Sequence, residues 1–144
     1  MSRLETSRLI LRILLGAAYL AAGIAHLRSP GPFLSITPGW VPQPELVIAA
    51  TGVAEILGAT ALVAIPPLRR AAAVGLALYA VCVYPANIKH ALDAISAHGP
   101  SAWWPYHAPR LAFQPVIVWW ALFAGGVTAW PFGRKAGAGA TPAR

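Results

Sequence analysis

The stretch ELVIAATGVAEILGATALVAI, residues 45–65, has the length needed to cross a bilayer core of roughly 30 Å at a rise of about 1.5 Å per residue. Its only interior charge is Glu55, close to the middle. An ionisable side chain at that depth costs on the order of 3 kcal/mol or more, so it faces protein or water and has a partner. Thr51, Gly52, Glu55, Gly58 and Ala59 make one small, polar face of this helix, opposed by larger aliphatic residues. The organisation of the chain therefore turns on what meets Glu55.

The rest of the composition agrees with a membrane setting. The 144 residues are 58% hydrophobic and 10% charged, with a mean hydropathy of +0.61, whereas soluble domains carry about 25% charge. The length suits one domain. A net charge of +7 could suggest nucleic acid, but the basic residues flank apolar runs and form no continuous stripe, so no nucleic-acid partner is expected. Cys82 is the single cysteine. It excludes an internal disulfide or a cysteine metal site and is expected as a buried core thiol.

Three further spans are expected. The first covers residues 9–27, where Gly16, Tyr19, Gly23 and His26 share a face. A basic start before an apolar run also fits a signal peptide, but the length of the run and this shared face indicate a retained span. Residues 28–44 hold five prolines and two glycines. They cannot form a continuous helix and are expected to lie as a stiff loop over the bundle, with Trp40 as an interfacial anchor. Residues 66–70, PPLRR, form a tight basic turn. The third span covers residues 71–90 and is kinked at Pro85. ALDAISAHGPSAWWPYHAP, residues 91–109, reads as a polar-to-aromatic connection. The fourth span covers residues 110–130, kinked at Pro115, with Trp119 and Trp120 pointing away from its inner stripe towards lipid or a neighbouring subunit. The domain thus ends near residue 132, and residues 133–144 form a flexible basic tail. The amino end, the Arg69–Arg70 turn and the tail hold all of the eleven Lys and Arg residues except Arg28, Lys89 and Arg110, which places both termini in the cytoplasm.

The expected architecture is all-α, an integral membrane four-helix bundle. Depth then groups His26, Glu55, Asn87, Arg110 and Gln114 as candidates to line one ligand pocket in the outer half of the bundle. Each has a plainer reading. Glu55 can be a structural carboxylate, His26 can cap a helix end, and Arg110 can snorkel to the headgroups. Asn87 and Gln114 can simply tie helices together. His90, His98 and His107 are expected to be solvated. No metal site is expected, since His26, Glu55 and His90 would have to converge from three helices. His26 and His90 are the only pair that could ligate haem. No phosphate loop or nucleophile elbow is present.

The segments GIAHLRSPGPFLSITPGWVPQPE, TGVAEILGATALV, YPANIKHAL and RLAFQPVIVWWAL, in that order, resemble the DoxX-like small membrane proteins over about residues 9–122. The pattern falls on His26, Pro30, Trp40, Pro42, Glu55, Gly58, Pro85, Asn87, Arg110, Gln114 and Trp120. The resemblance implies a multi-pass four-helix protein of the bacterial cytoplasmic (inner) membrane. Its better-understood relatives serve a thiosulfate:quinone oxidoreductase or membrane-associated thiol and oxidative-stress systems. The lack of paired cysteines argues against a dithiol mechanism within this chain.

Three functions are open at this stage. The chain could bind a quinone or similar apolar ligand and assist a redox-enzyme partner, as an accessory subunit rather than a self-contained enzyme. It could be a non-enzymatic scaffold, held by Glu55–Arg110 and Asn87–Gln114 contacts, alone or as a homo-oligomer. A proton-coupled small-solute permease is the third, although no inverted repeat is visible. No catalytic residue is assigned.

Overall fold

Prolines punctuate this chain because each lacks a backbone N–H and clashes with the carbonyl four residues back. The computed structural model describes residues 3–132, and every regular element among them is helical. Helix α1 (Arg3–Arg28) stops before Pro30, and the short α2 (Gly31–Ile36) stops before Pro38. Helix α3 (Pro44–Ala64) starts on a proline, the favoured first-turn position, after Gln43 at φ 46°. A 3-10 turn (Pro66–Leu68) leads into α4 (Arg69–Cys82), and Pro85 accompanies the break before α5 (Tyr84–His98). A 3-10 turn (Pro100–Ala102) and a π turn (Trp103–His107) then run into α6 (Ala108–Ala124).

Helix α1 packs along α3, α3 against α4, α4 against α6, and α6 returns to α1, closing a four-helix ring. Helix α2 rests on α3 and α5, above that ring. The stretches Arg3–Arg28, Pro44–Ala64 and Pro66–His98 are long and apolar enough to cross a membrane. Helix α6 has 17 residues, about 25 Å at helical rise, and the π turn extends it at its amino end.

The faces are arranged as a helical membrane protein requires. Large aliphatic side chains such as Ile13, Leu57, Leu78 and Val81 point outward, while Ala59, Ala73, Ala77, Ala80, Ala121 and Ala124 are buried at the helix contacts. Small residues bring backbones together where lipid offers no hydrophobic gain for helix association. The most extensive contact joins α1 to α3, at close range. A Cβ at Gly23 would lie 2.6 Å from the Gly52 carbonyl oxygen, and one at Gly52 would lie 2.9 Å from His26 Cβ.

Arg8, Arg12 and Arg69 gather at the opposite pole from α2. Arg12, 8% exposed, donates from Nε to the Ala124 carbonyl at 3.1 Å. Arg8 donates to the Thr128 carbonyl at 3.1 Å, and Arg69 reaches the Val63 carbonyl at 3.5 Å. These carbonyls lie at or just past the carboxyl ends of α6 and α3, where unpaired acceptors and the negative end of the helix dipole favour cations.

The structure corrects several expectations. The span expected over 71–90 is two helices, and the residues 91–98 expected in a connection are the second half of α5. The helix expected to reach 130 ends at Ala124, capped by Gly125. Cys82 is exposed rather than buried, at the end of α4, where it borders the cavity described below. Trp120 turns inward and donates from Nε1 to the Leu11 carbonyl at 2.9 Å. The tail over 133–144 lies outside the described residues.

The α1–α3 contact gives a paired prediction. Gly23→Ala must push against the α3 backbone and should lower stability by about 1–3 kcal/mol. A Cβ at Gly75 meets nothing within 4 Å, so Gly75→Ala should be neutral or stabilising by up to about 1 kcal/mol. Thermal unfolding of both variants in detergent checks this, and equal melting temperatures would contradict the packing.

Candidate functional site

The four-helix ring encloses a cavity of about 460 Å³, roofed by α2 and the segment after it. Its walls are mostly apolar, and His26, Glu55, Asn87, Arg110 and Gln114 all reach it. The five come from four helices: α1, α3, α5 and α6.

Glu55 is 3% exposed, on the buried face of α3 that also holds Ile48, Gly52, Ala59 and Leu62. Its Oε2 lies 2.8 Å from His26 Nδ1. The same Nδ1 is 2.9 Å from the Ala22 carbonyl oxygen. A carbonyl only accepts, so Nδ1 carries a proton directed at Ala22. Glu55 Oε2 therefore touches the imidazole without lying on its N–H line, and it is a buried oxygen with no hydrogen bond. The Tyr79 hydroxyl interacts with the side chains of both Glu55 and Thr51. Phe33 of α2 stacks on the His26 ring, with centroids 3.9 Å apart and planes at 26°. Helix α2 thus fixes the imidazole from above while Gly23 and Gly52 bring α1 and α3 close enough for the pair to meet.

The second polar group serves backbone carbonyls at two irregular places, the α4–α5 break and the Pro115 turn of α6. Ala80 lies four residues before Tyr84, across the gap between α4 and α5, and its carbonyl accepts from Gln114 Nε2. Pro115 cannot bond the Leu111 carbonyl four residues back. The Tyr84 hydroxyl donates to that oxygen at 3.4 Å. Asn87 Nδ2 donates to Gln114 Oε1 at 3.2 Å. Each helix mends the other's break, as polar side chains do at kinks in apolar surroundings. Gln114 retains one N–H and Asn87 its carbonyl oxygen beyond these bonds.

Arg110 does not touch Glu55. It donates from Nη1 to His90 Nδ1 at 2.8 Å, and its guanidinium lies 5.6 Å from the Tyr106 ring centroid. His107 packs edge-on to both His90 and Tyr106, at 4.8 and 5.0 Å between centroids. It is buried, and His90 is half-buried, which overturns their expected solvation; only His98 of the three is exposed. The π turn folds His107 back under α5. Among the described residues no group of three or more His, Cys, Asp or Glu side chains could hold a metal ion.

Tyr79 was not expected at the site, and Phe33 and Tyr106 were expected only as an apolar residue of the covering loop and an interfacial belt residue. A hydroxyl-bearing ring in an otherwise apolar helix was a usable signal for Tyr79. Phe33 and Tyr106 lie in segments without helical periodicity, where sequence spacing does not define a face.

The repair network predicts that Gln114→Leu, which leaves both the Ala80 carbonyl and Asn87 Nδ2 without partners, lowers stability by about 1–3 kcal/mol. Unchanged thermal unfolding in detergent would contradict it.

No curated protein and no solved structure matches the chain. One family model, described as Domain of unknown function (DUF8561), matches residues 15–125. That match begins at Leu15, a cavity residue, and ends at Gly125, the cap of α6, so it spans every residue that lines the cavity. The chain belongs to the DUF8561 family.

Proposed function

We propose that this protein binds a quinone-like or other small apolar ligand in the cavity and supports a redox or oxidative-stress partner in the membrane. The observation behind this reading is the cavity itself. About 460 Å³ of mostly apolar space ends on a buried carboxylate, Glu55, whose Oε2 rests 2.8 Å from His26 Nδ1. Small-molecule sites are typically apolar clefts of roughly 300–1,000 Å³ with a few convergent polar groups. Arg110 and the spare Gln114 N–H can donate to a ligand carbonyl, and Glu55 Oε2 can accept from a ligand hydroxyl. The reading follows the DoxX-like resemblance, a four-span topology with both termini cytoplasmic, and a place in a bacterial inner membrane. The gathering of Arg8, Arg12 and Arg69 at one pole supports that orientation.

A scaffold role is the second reading, and the Asn87–Gln114–Ala80 bonds favour it, because they tie helices without needing a ligand.

Trp40 and Trp120 both border the cavity, so a decyl-substituted benzoquinone should quench their emission saturably in the purified protein. Glu55→Gln should weaken binding of the reduced, hydroxyl-bearing form about tenfold, the scale of one charge-assisted hydrogen bond, and affect the oxidised form less. Absence of saturable quenching, or equal effects of the substitution on both forms, would count against the ligand reading and favour the scaffold.

A further inference from the structure

We infer that the ligand of this cavity is an acidic amphiphile, with an anionic oxygen headgroup seated on Arg110 and an apolar body between the helices. The inference rests on the ligand-binding reading above and narrows it by charge.

The acidic side chains leave Arg110 without a counter-charge. The chain has four, Glu5, Glu45, Glu55 and Asp93, against eleven Lys and Arg residues. Glu5 is held by Arg8 at the far pole. Asp93 is paired with Lys89 one helical turn away on α5. Glu55 rests against His26. Glu45 is exposed in the first turn of α3. Among the described residues, no carboxylate pairs with Arg110.

The partners Arg110 does have carry no negative charge. His90 accepts through Nδ1, which must therefore be its unprotonated nitrogen, so the imidazole in this contact is neutral. Tyr106 contributes the face of its ring. His107, 6% exposed, brings a buried Nδ1 with no hydrogen bond to the same cluster. A guanidinium presents five donors in a fork that matches a carboxylate or phosphate. Here one is used on a neutral ring nitrogen, and the half-buried remainder borders apolar space. An unbalanced cation in that setting is stabilised by an anion that enters with the ligand.

The two polar ends of the cavity then have different tasks. At the His26–Glu55 end the carboxylate has the imidazole as its neighbour and offers an acceptor. The Arg110 end is unbalanced and selects negative charge. A free amphiphile and an anionic bilayer lipid share this chemistry, and the solvent lipid separates them.

The test uses the full-length protein in phosphatidylcholine nanodiscs and three ten-carbon probes, decanoate, decanol and decylamine, followed by tryptophan emission. Decanoate should bind about tenfold more tightly than decanol, the scale of a charge-assisted hydrogen bond, and decylamine more weakly than either. Arg110→Gln should bring decanoate and decanol within about twofold, and Arg110→Lys should keep part of the preference. Equal affinity of the wild-type protein for decanoate and decanol would overturn the inference while leaving an apolar ligand site standing. A decanoate preference that survives in Arg110→Gln would also overturn it. No saturable binding of any probe would remove both readings. Should decanoate binding fall when phosphatidylglycerol replaces phosphatidylcholine, the natural occupant is a bilayer lipid; unchanged binding assigns it to a free amphiphile.

Discussion

A carboxylate buried in the middle of an apolar helix has to be met by another group, and His26 meets Glu55 here. That contact, at 2.8 Å, explains features that look unrelated along the chain. It requires the backbones of α1 and α3 to approach closely, which Gly23 and Gly52 allow. It requires the imidazole to be held in one orientation, which the Ala22 carbonyl and the Phe33 ring achieve from two sides. Phe33 in turn requires α2 to lie over the ring rather than away from it. Glu55 sits in a wall shared with Tyr79 and Thr51, and the space left beside it is the cavity.

The other half of the cavity depends on damage and repair. Pro115 interrupts hydrogen bonding inside α6 and the chain breaks between α4 and α5, and interrupted backbone is tolerated at such depth only where side chains replace the lost bonds. Tyr84 and Gln114 do so reciprocally, each across the interface the other helix presents. Asn87 and Arg110 line the cavity beside these irregular stretches. At the far pole the helices are regular, and arginines close their carboxyl ends instead.

Much of this was readable from residues alone, for reasons that differ by element. Helix α3 was legible almost to its ends because an apolar run of spanning length is bounded by prolines. The buried face of α1 was legible because Gly16, Tyr19, Gly23 and His26 repeat at helical spacing. The grouping of five polar residues at one end followed from depth along each span. The partner of each was not legible. Glu55 and Arg110 are the obvious opposite charges, yet close glycines bring Glu55 to His26, and the π turn brings His90 to Arg110. Local irregularity also hid the length of α5, the inward turn of Trp120 and the burial of His107, since none of these follows from a regular period.

Glu55 and His26 should be energetically coupled across α1 and α3, since the cavity is arranged around their contact. A double-mutant cycle of Glu55→Gln and His26→Phe, read by reversible unfolding in detergent, tests it directly. A coupling of about 1 kcal/mol or more is expected, the range of side chains in contact. Strict additivity of the two substitutions would contradict it, and the cavity would lose the contact around which it is built.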